Sequence, residues 1–274
     1  MGSASGAHSP YRGRFAPSPT GPLHLGSVVA ALASFLDAKA AQGLWLVRME
    51  DLDPPREMPG AADDILRTLE KLHLHWDGPV IHQSQRIDAY HTGLDTLMQT
   101  GLLYRCRCSR LQLVGHDIYP GTCRHVSVPA TEAGAIRCNV PDETIGFTDR
   151  IQGRIDQNLA RDVGDFVLLR KDGLFAYQLA VVVDDGWQQI TDIVRGNDLL
   201  DSTPRQLYLQ RLLGLPTPRY AHIPLITDAV GQKLGKQQFA KAADAEHPSR
   251  TLWTALGLLR QQPEPALRDE PPAT

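Results

Sequence analysis

RFAPSPTGPLHLGS, residues Arg14–Ser27, lies between a short strand-like start and a run of helical periodicity. It packs three prolines, two glycines and a histidine into one turn. Such a rigid turn at a helix start can aim backbone N–H groups at an anion, with His24 as an added donor. Gly26 lets a flat ligand approach the backbone closely. Read without its surroundings, the segment is equally a proline-rich connector.

The surroundings give it a frame. Apolar periodicity runs from Ser27 to about Ala41, with Gly43 as a helix stop. Leu44–Glu50, LWLVRME, then reads as a buried strand. Strand, helix and strand over about 40 residues form a βαβ unit, which predicts a parallel sheet with right-handed crossovers. Two helices follow, one presenting Ile65, Leu66, Leu69 and Leu72, the other Ile87, Tyr90, Leu94, Leu97 and Met98. Leu102–Asp149 reads as irregular, and Asp165–Arg170 and Leu174–Val183 as strands. Thr203–Pro204 starts another helix, ended by Gly214, and a last helix is expected near Thr251–Gln261. The fold class is therefore α/β, with a middle insertion dividing the sheet.

Composition closes off other classes. The 274 residues are 42% apolar and 22% charged, an ordinary globular balance that excludes disordered and fibrous chains. The longest nearly unbroken apolar stretch, Val28–Leu36, is nine residues, against the roughly 20 that a membrane span needs. The N-terminus lacks the features of a secretory signal, so a cytoplasmic protein without membrane attachment is expected. With 28 basic and 31 acidic residues, bulk charge offers no grip on nucleic acid. Arg105, Arg107, Arg110, Arg124 and Arg137 form either a local basic patch or a solvated face. Cys106, Cys108 and Cys123 fall within 18 residues, which points to a metal site rather than a disulfide framework. Three thiolates suit zinc, and by chemistry alone His116 or His125 leads as the fourth ligand. Cys138 reads as a small core residue. No GxxxxGK[ST], GxGxxG, HExxH or GxSxG pattern occurs.

The opening turn is similar to the HIGH-type signature of class I aminoacyl-tRNA synthetases, in the RFAPSPTGxLHxG form of the glutamyl enzymes. Further segments match in order: RMEDLDPPR (Arg48–Arg56), GPVIHQSQR (Gly78–Arg86), FAYQLAVVVDD (Phe175–Asp185), ITDIVRGNDLL (Ile190–Leu200) and YAHIPLI (Tyr220–Ile226). KLGKQ (Lys233–Gln237) stands where the KMSKS-type loop falls, with Gly235 where serine is usual. The resemblance covers about Arg12–Phe239 and implies a Rossmann-like catalytic core. It leads us to expect the first half of that core over 11–103 and a zinc-containing insertion over 104–150. The second half, with the signature loop and a short helical end, should occupy 151–262, and the Pro-, Gly- and Ser-rich ends should be disordered tails over 1–10 and 263–274.

A glutamyl-tRNA synthetase would continue into an anticodon-binding region, whereas this sequence runs about 37 residues past the loop. That shortening, with the compact cysteine-containing insertion, resembles the glutamyl-Q tRNA(Asp) synthetases. They use ATP to activate L-glutamate and attach it to the queuosine base in the anticodon of tRNA(Asp). The resemblance implies catalytic roles for His24 and Lys236, with His24, Gly26, Lys233 and Lys236 holding ATP and Mg²⁺ accompanying the pyrophosphate. Glutamate would meet Arg14, Phe15, Ala16, Pro17 and Ser18, its ammonium Glu50, and its γ-carboxylate Arg195, with Tyr177 adding a hydroxyl. It also favours Tyr119 as the fourth ligand of one structural Zn²⁺. Asp51 and Asp53 read as turn-forming acids. A monomer is expected. The competing readings are a truncated enzyme charging the 3′ end of tRNA(Glu) and a non-catalytic regulatory paralogue.

Overall fold

The computed structural model describes residues 10–225 and 242–272. Strand β1 (Arg12–Phe15) leads through the proline-rich turn into helix α1 (Leu25–Ala40) and back to strand β2 (Leu44–Met49). β1 and β2 pair in parallel, Arg14 opposite Leu46, and β2 pairs in parallel with the two-residue β3 (Ile81–His82). The βαβ unit expected from the sequence is thus present. Helices α2 (Ala61–Lys71) and α3 (Ile87–Met98) follow the expected apolar periods, although Ile87 and Met98 lie outside the buried face.

A second parallel pair stands beside this sheet. Strands β9 (Asp192–Gly196) and β10 (Arg219–Ile223) align with Arg195 opposite His222. They adjoin β1, where the Thr191 N–H donates to the Arg12 carbonyl at 3.0 Å. Neither strand is among those expected from the sequence.

Between the halves lies an antiparallel lobe rather than an irregular stretch. β4 (Leu103–Cys106), β5 (Ala135–Cys138) and β8 (Phe166–Leu169) form one sheet, and β6 (Thr144–Asp149) and β7 (Gly153–Asn158) form a hairpin. The strand expected over Asp165–Arg170 is present as β8 and pairs with β5, so this sheet draws its last strand from beyond the insertion expected over 104–150. Asp165 ties the lobe together by accepting from both sides of the Arg124 guanidinium at 2.9 Å, from the Val140 N–H at 3.0 Å and from the Tyr104 hydroxyl.

The segment Leu174–Val183, expected as a strand, contains the start of helix α4 (Tyr177–Trp187). Leu179, Ala180, Val181 and Val182 are buried, so the helix is covered nearly all round. A short apolar run reads alike as a buried strand or a buried helix, which is why periodicity misassigned it. Helix α5 (Thr203–Leu212) agrees with its expected start, and α6 spans Pro248–Leu258, beginning three residues before the expected helix. Past it, a 3-10 turn at Pro265–Arg268 packs back on α6. There the Trp253 indole N–H donates to the Glu264 carbonyl at 3.2 Å.

Two cores result. One joins Val28, Val29 and Leu32 of α1 to Trp45, Val47 and Met49 of β2 and to Ile65 and Leu69 of α2. The other joins α3, α4 and α5 to the inner faces of the antiparallel lobe. Each large apolar side chain fully buried contributes about 1.5–3 kcal/mol. Among the described residues no helix is long and apolar enough to cross a membrane.

Candidate active site

Where β1, β2 and β9 end, a cleft of about 290 Å³ opens. Its walls include Arg14, Phe15, Ala16, Pro17 and Ser18 from the end of β1, and Glu50 from the end of β2. They also include His24 and Gly26 at the start of α1, Tyr177 from α4, and Arg195 and Gly196 from β9. The crevice at the carboxyl ends of parallel strands is where open α/β sheets bind ligands.

The floor is a buried charge network. Arg48 on β2 is fully buried, and its Nη1 donates to Asp185 Oδ1 at 2.9 Å and Gln188 Oε1 at 2.6 Å. Arg14 donates to both Asp185 oxygens, at 3.2 and 3.4 Å. Burial works against the charge on Asp185, but the Arg14 and Arg48 guanidinium groups hold its carboxyl below the usual range. Neighbouring Asp184 accepts from Gln83 at 2.8 Å, Arg86 at 2.6 Å and Tyr90 at 2.8 Å. Helix α4 is thereby fastened to β1, β2 and α3 through two adjacent carboxylates.

Glu50 sits above this floor with 10% of its side chain exposed. Its Oε1 lies 3.5 Å from Arg48 Nη2, without hydrogen-bond geometry to any described residue. Burial raises its carboxyl to about 7 even though Arg48 and Arg14 pull it down. A buried carboxylate oxygen without a hydrogen bond, beside an open cleft, can accept from a cationic donor.

Arg195 stands at the other end, 5% exposed. Its Nη1 donates to the Tyr177 hydroxyl at 3.2 Å, and its Nη2 to Thr203 Oγ1 and Gln206 Oε1, both at 2.9 Å. Its Nε donates to Nε2 of His222 at 3.0 Å. Among the described residues every one of these partners is neutral. Burying a guanidinium without an anion is costly, so this end of the cleft favours a carboxylate ligand. The planar fork also suits a carboxylate better than an amide, whose N–H₂ would face donors.

His24 caps α1, its Nδ1 accepting from the Ser27 N–H at 3.2 Å and its Nε2 lying 3.1 Å from Ser27 Oγ. The helix N-terminus thus faces the cleft with its positive end. Lys233 and Lys236 lie outside the described residues. The flanks of their segment do not: Pro224 and Leu225 line the cleft, and His24 pairs with Ala242 through the backbone.

In the antiparallel lobe, the Sγ atoms of Cys106, Cys108 and Cys123 all lie within 4.8 Å of one another. The Tyr119 hydroxyl is 3.4 Å from Cys106 Sγ and 3.6 Å from Cys108 Sγ. Ligand atoms about a tetrahedral zinc with sulfur bonds near 2.3 Å are about 3.7 Å apart, so these four donors suit that geometry. Neither His116 nor His125 joins the group. Gly164 permits the packing here: at φ +71°, a side chain on it would meet Ile118 at 2.6 Å and the Tyr119 nitrogen at 3.1 Å. Burial raises the Cys108 thiol, whereas Cys123, despite its own burial, is drawn down to about 7 by a backbone hydrogen bond and its neighbours. The arginines around the cluster mostly serve the lobe itself. Arg137 stacks 3.9 Å from the Tyr119 ring centre, Arg124 binds Asp165, and Arg105 and Arg107 turn to Glu132.

Residues 11–259 match the family model for the catalytic domain of class I tRNA synthetases of the E and Q type. The chain belongs to the class I tRNA synthetases, in the glutamyl-Q tRNA(Asp) synthetase branch. It is 58% identical to the glutamyl-Q tRNA(Asp) synthetase of Pseudomonas putida KT2440 over 274 residues, covering all of this chain and 91% of that one. The Pseudomonas aeruginosa PAO1 protein of the same name is 58% identical over 256 residues, 93% of this chain and 87% of that one. Among solved structures, the chain resembles a glutamate tRNA ligase from Elizabethkingia meningosepticum in complex with its amino acid, with a TM-score of 0.79 and 26% identity. That match covers 95% of this chain, which spans 66% of the length of the ligase.

Sequence reasoning passed over several residues that build this family's cleft. Arg48, Asp185, Asp149, His222, Thr203 and Gln206 hold the lining groups in place. Three of them, Arg48, Asp185 and His222, lie inside the quoted motifs, but nothing in a motif says which side chain supports which.

Proposed function

We propose that the protein uses ATP to activate L-glutamate as glutamyl-adenylate and transfers the glutamyl group to the queuosine base in the anticodon of tRNA(Asp). It is an ATP-dependent ligase of the class I synthetase family. The observation that carries the substrate assignment is the pairing of ends within one cleft. Glu50 offers an anionic oxygen without a hydrogen bond, and Arg195 a nearly buried cation with only neutral described partners. Glutamate carries an ammonium and a second carboxylate to match.

In the first step an oxygen of the glutamate α-carboxylate attacks the α-phosphorus of ATP. The bond from that phosphorus to the bridging oxygen breaks, and pyrophosphate leaves. A phosphoryl displacement asks chiefly for positioning and positive potential around the transferred group. Glu50 holds the ammonium, Arg195 and Tyr177 the side-chain carboxylate, and Arg14 with Phe15–Ser18 forms the wall against the substrate. His24, Gly26 and the first N–H groups of α1 face the phosphates, with Lys233 and Lys236 adding charge. Mg²⁺ carried with the ATP would supply positive charge to the pyrophosphate. In the second step a nucleophile of the queuosine base attacks the adenylate carbonyl and AMP leaves.

Cys106, Cys108, Cys123 and Tyr119 would hold one Zn²⁺ that pins the antiparallel lobe, away from the reacting atoms. The same reading takes the protein as a monomer, and tRNA as substrate supports a cytoplasmic setting.

The test is incorporation of labelled glutamate, with ATP, into tRNA from strains able and unable to make queuosine. Label confined to queuosine-containing tRNA(Asp) supports the reading. Equal label in both pools, carried by tRNA(Glu), overturns it in favour of 3′-end charging.

A further inference from the structure

Arg195 owes its placement to four other segments of the fold. Tyr177 comes from α4, Thr203 and Gln206 from α5, the Leu199 carbonyl from the connection after β9, and His222 from β10. His222 is in turn held by Asp149, at the end of β6. The His222 Nδ1 lies 2.6 Å from Asp149 Oδ2, and the His222 backbone N–H donates to the same carboxylate at 3.1 Å. Asp149 Oδ1 also accepts from the Ile151 and Gln152 N–H groups at 2.9 Å, while the Gln152 side chain donates to the His222 carbonyl at 2.7 Å. The turn of the β6–β7 hairpin thus grips His222 from both sides. Both side chains of the pair are fully buried.

We propose that Asp149 and His222 act as a positioning pair, fixing the tautomer that lets imidazole Nε2 accept from Arg195 while leaving the arginine's charge unpaired for the ligand. The proposal rests on the reading that Arg195 takes the side-chain carboxylate of glutamate.

The chemistry is one of polarity. Asp149 requires the Nδ1–H form, so Nε2 keeps its lone pair and meets the Arg195 Nε–H. Burial and the facing Arg195 charge push the imidazole down to about 4, so it remains neutral. A carboxylate in place of the imidazole would hold the guanidinium as firmly, but would neutralise it and compete with the substrate. A neutral acceptor orients without competing. Thr203 Oγ1, 3.2 Å from the same Nε2, shares this polar pocket.

The isosteric substitution Asp149→Asn tests the pair, because the amide can donate to Nδ1 and drive the proton onto Nε2, where it opposes the Arg195 Nε–H. In glutamate-dependent ATP–pyrophosphate exchange, the expected result is a KM for glutamate raised roughly tenfold or more, with the KM for ATP unchanged. In an Arg195→Lys background, which has no Nε–H in that position, Asp149→Asn should add no further loss. An unchanged glutamate KM in Asp149→Asn, or full additivity with Arg195→Lys, overturns the pair while the glutamate reading stands. An unchanged glutamate KM in Arg195→Lys itself overturns that reading and the pair together. Independently of any variant's folding, ¹⁵N-histidine spectra of the parent protein should show His222 protonated on Nδ1 alone at neutral pH. Assignment comes from the signal lost in His222→Gln. A proton on Nε2 overturns the proposal.

Discussion

The Tyr177 hydroxyl accepts from Nη1 of Arg195 at 3.2 Å, and that leaves its own proton to donate into the cleft. One atom therefore steadies the guanidinium and offers a contact to whatever the guanidinium binds. Tyr177→Phe removes both functions without changing the shape of the wall. We expect the KM for glutamate to rise roughly threefold to tenfold with kcat little altered, the size of one or two modest hydrogen bonds. Steady-state exchange kinetics checks this, and an unaltered KM would remove Tyr177 from the binding site.

Glu50 confers a pH dependence whose sign follows from its displaced carboxyl. Burial brings it up to about 7, and only its ionised form attracts an ammonium. As the pH falls through 7 towards 6 the free site takes up a proton, and the KM for glutamate should climb, approaching about tenfold per unit on the acid side. Glu50→Gln should bind glutamate weakly at every pH and flatten that limb. A parent enzyme whose glutamate KM is constant from pH 8 to pH 6 would contradict the assignment.

Asp184 makes no contact with the cleft, yet it anchors the helix that supplies Tyr177. Its fully buried carboxylate takes hydrogen bonds from Gln83, Arg86 and Tyr90. Removing one partner of a buried ionic network strands the others, so Asp184→Ala should cost about 3–5 kcal/mol of folding free energy. Urea unfolding measures it, and a loss under about 1 kcal/mol would show that the network is not structural.

Purified without chelators, the protein should carry about one zinc per chain by elemental analysis. Tyr119→Phe should release the metal to a chelator faster than the parent does, whereas His125→Ala should not. Absence of zinc, or the reverse order of the two variants, would displace Tyr119 from the ligand set.

Much of this was legible from the chain because it depends on short-range signals. The βαβ unit followed from one turn and two apolar periods, and the cysteine cluster from spacing within 18 residues. The residues named for glutamate all fall on one cleft because each sits at or beside the carboxyl end of a strand or the start of a helix. What stayed hidden was long-range. α4 was mistaken for a strand because a helix covered on all sides loses its periodic contrast. Asp149 and His222 are 73 residues apart, and no local pattern joins a hairpin turn to the strand that carries His222. The basic residues around the cysteines illustrate the converse: grouped in sequence, most turn inward to partners of their own lobe.

The alignment of β9 with β10 sets Arg195 directly across from His222, so on the proposed reading of Arg195 amino-acid choice becomes a matter of strand register. Sliding β10 by a single place would bring Ala221 or Ile223 opposite Arg195 and turn the imidazole to the other side of the sheet. Length changes in the connection over 197–218 are therefore filtered by chemistry as well as by stability. An insertion absorbed by bulging outward is silent, whereas one absorbed by the strand produces a folded protein with a disarmed arginine. A gain or loss of one residue between α5 and β10 is thus expected to alter glutamate binding without changing any residue that lines the cleft.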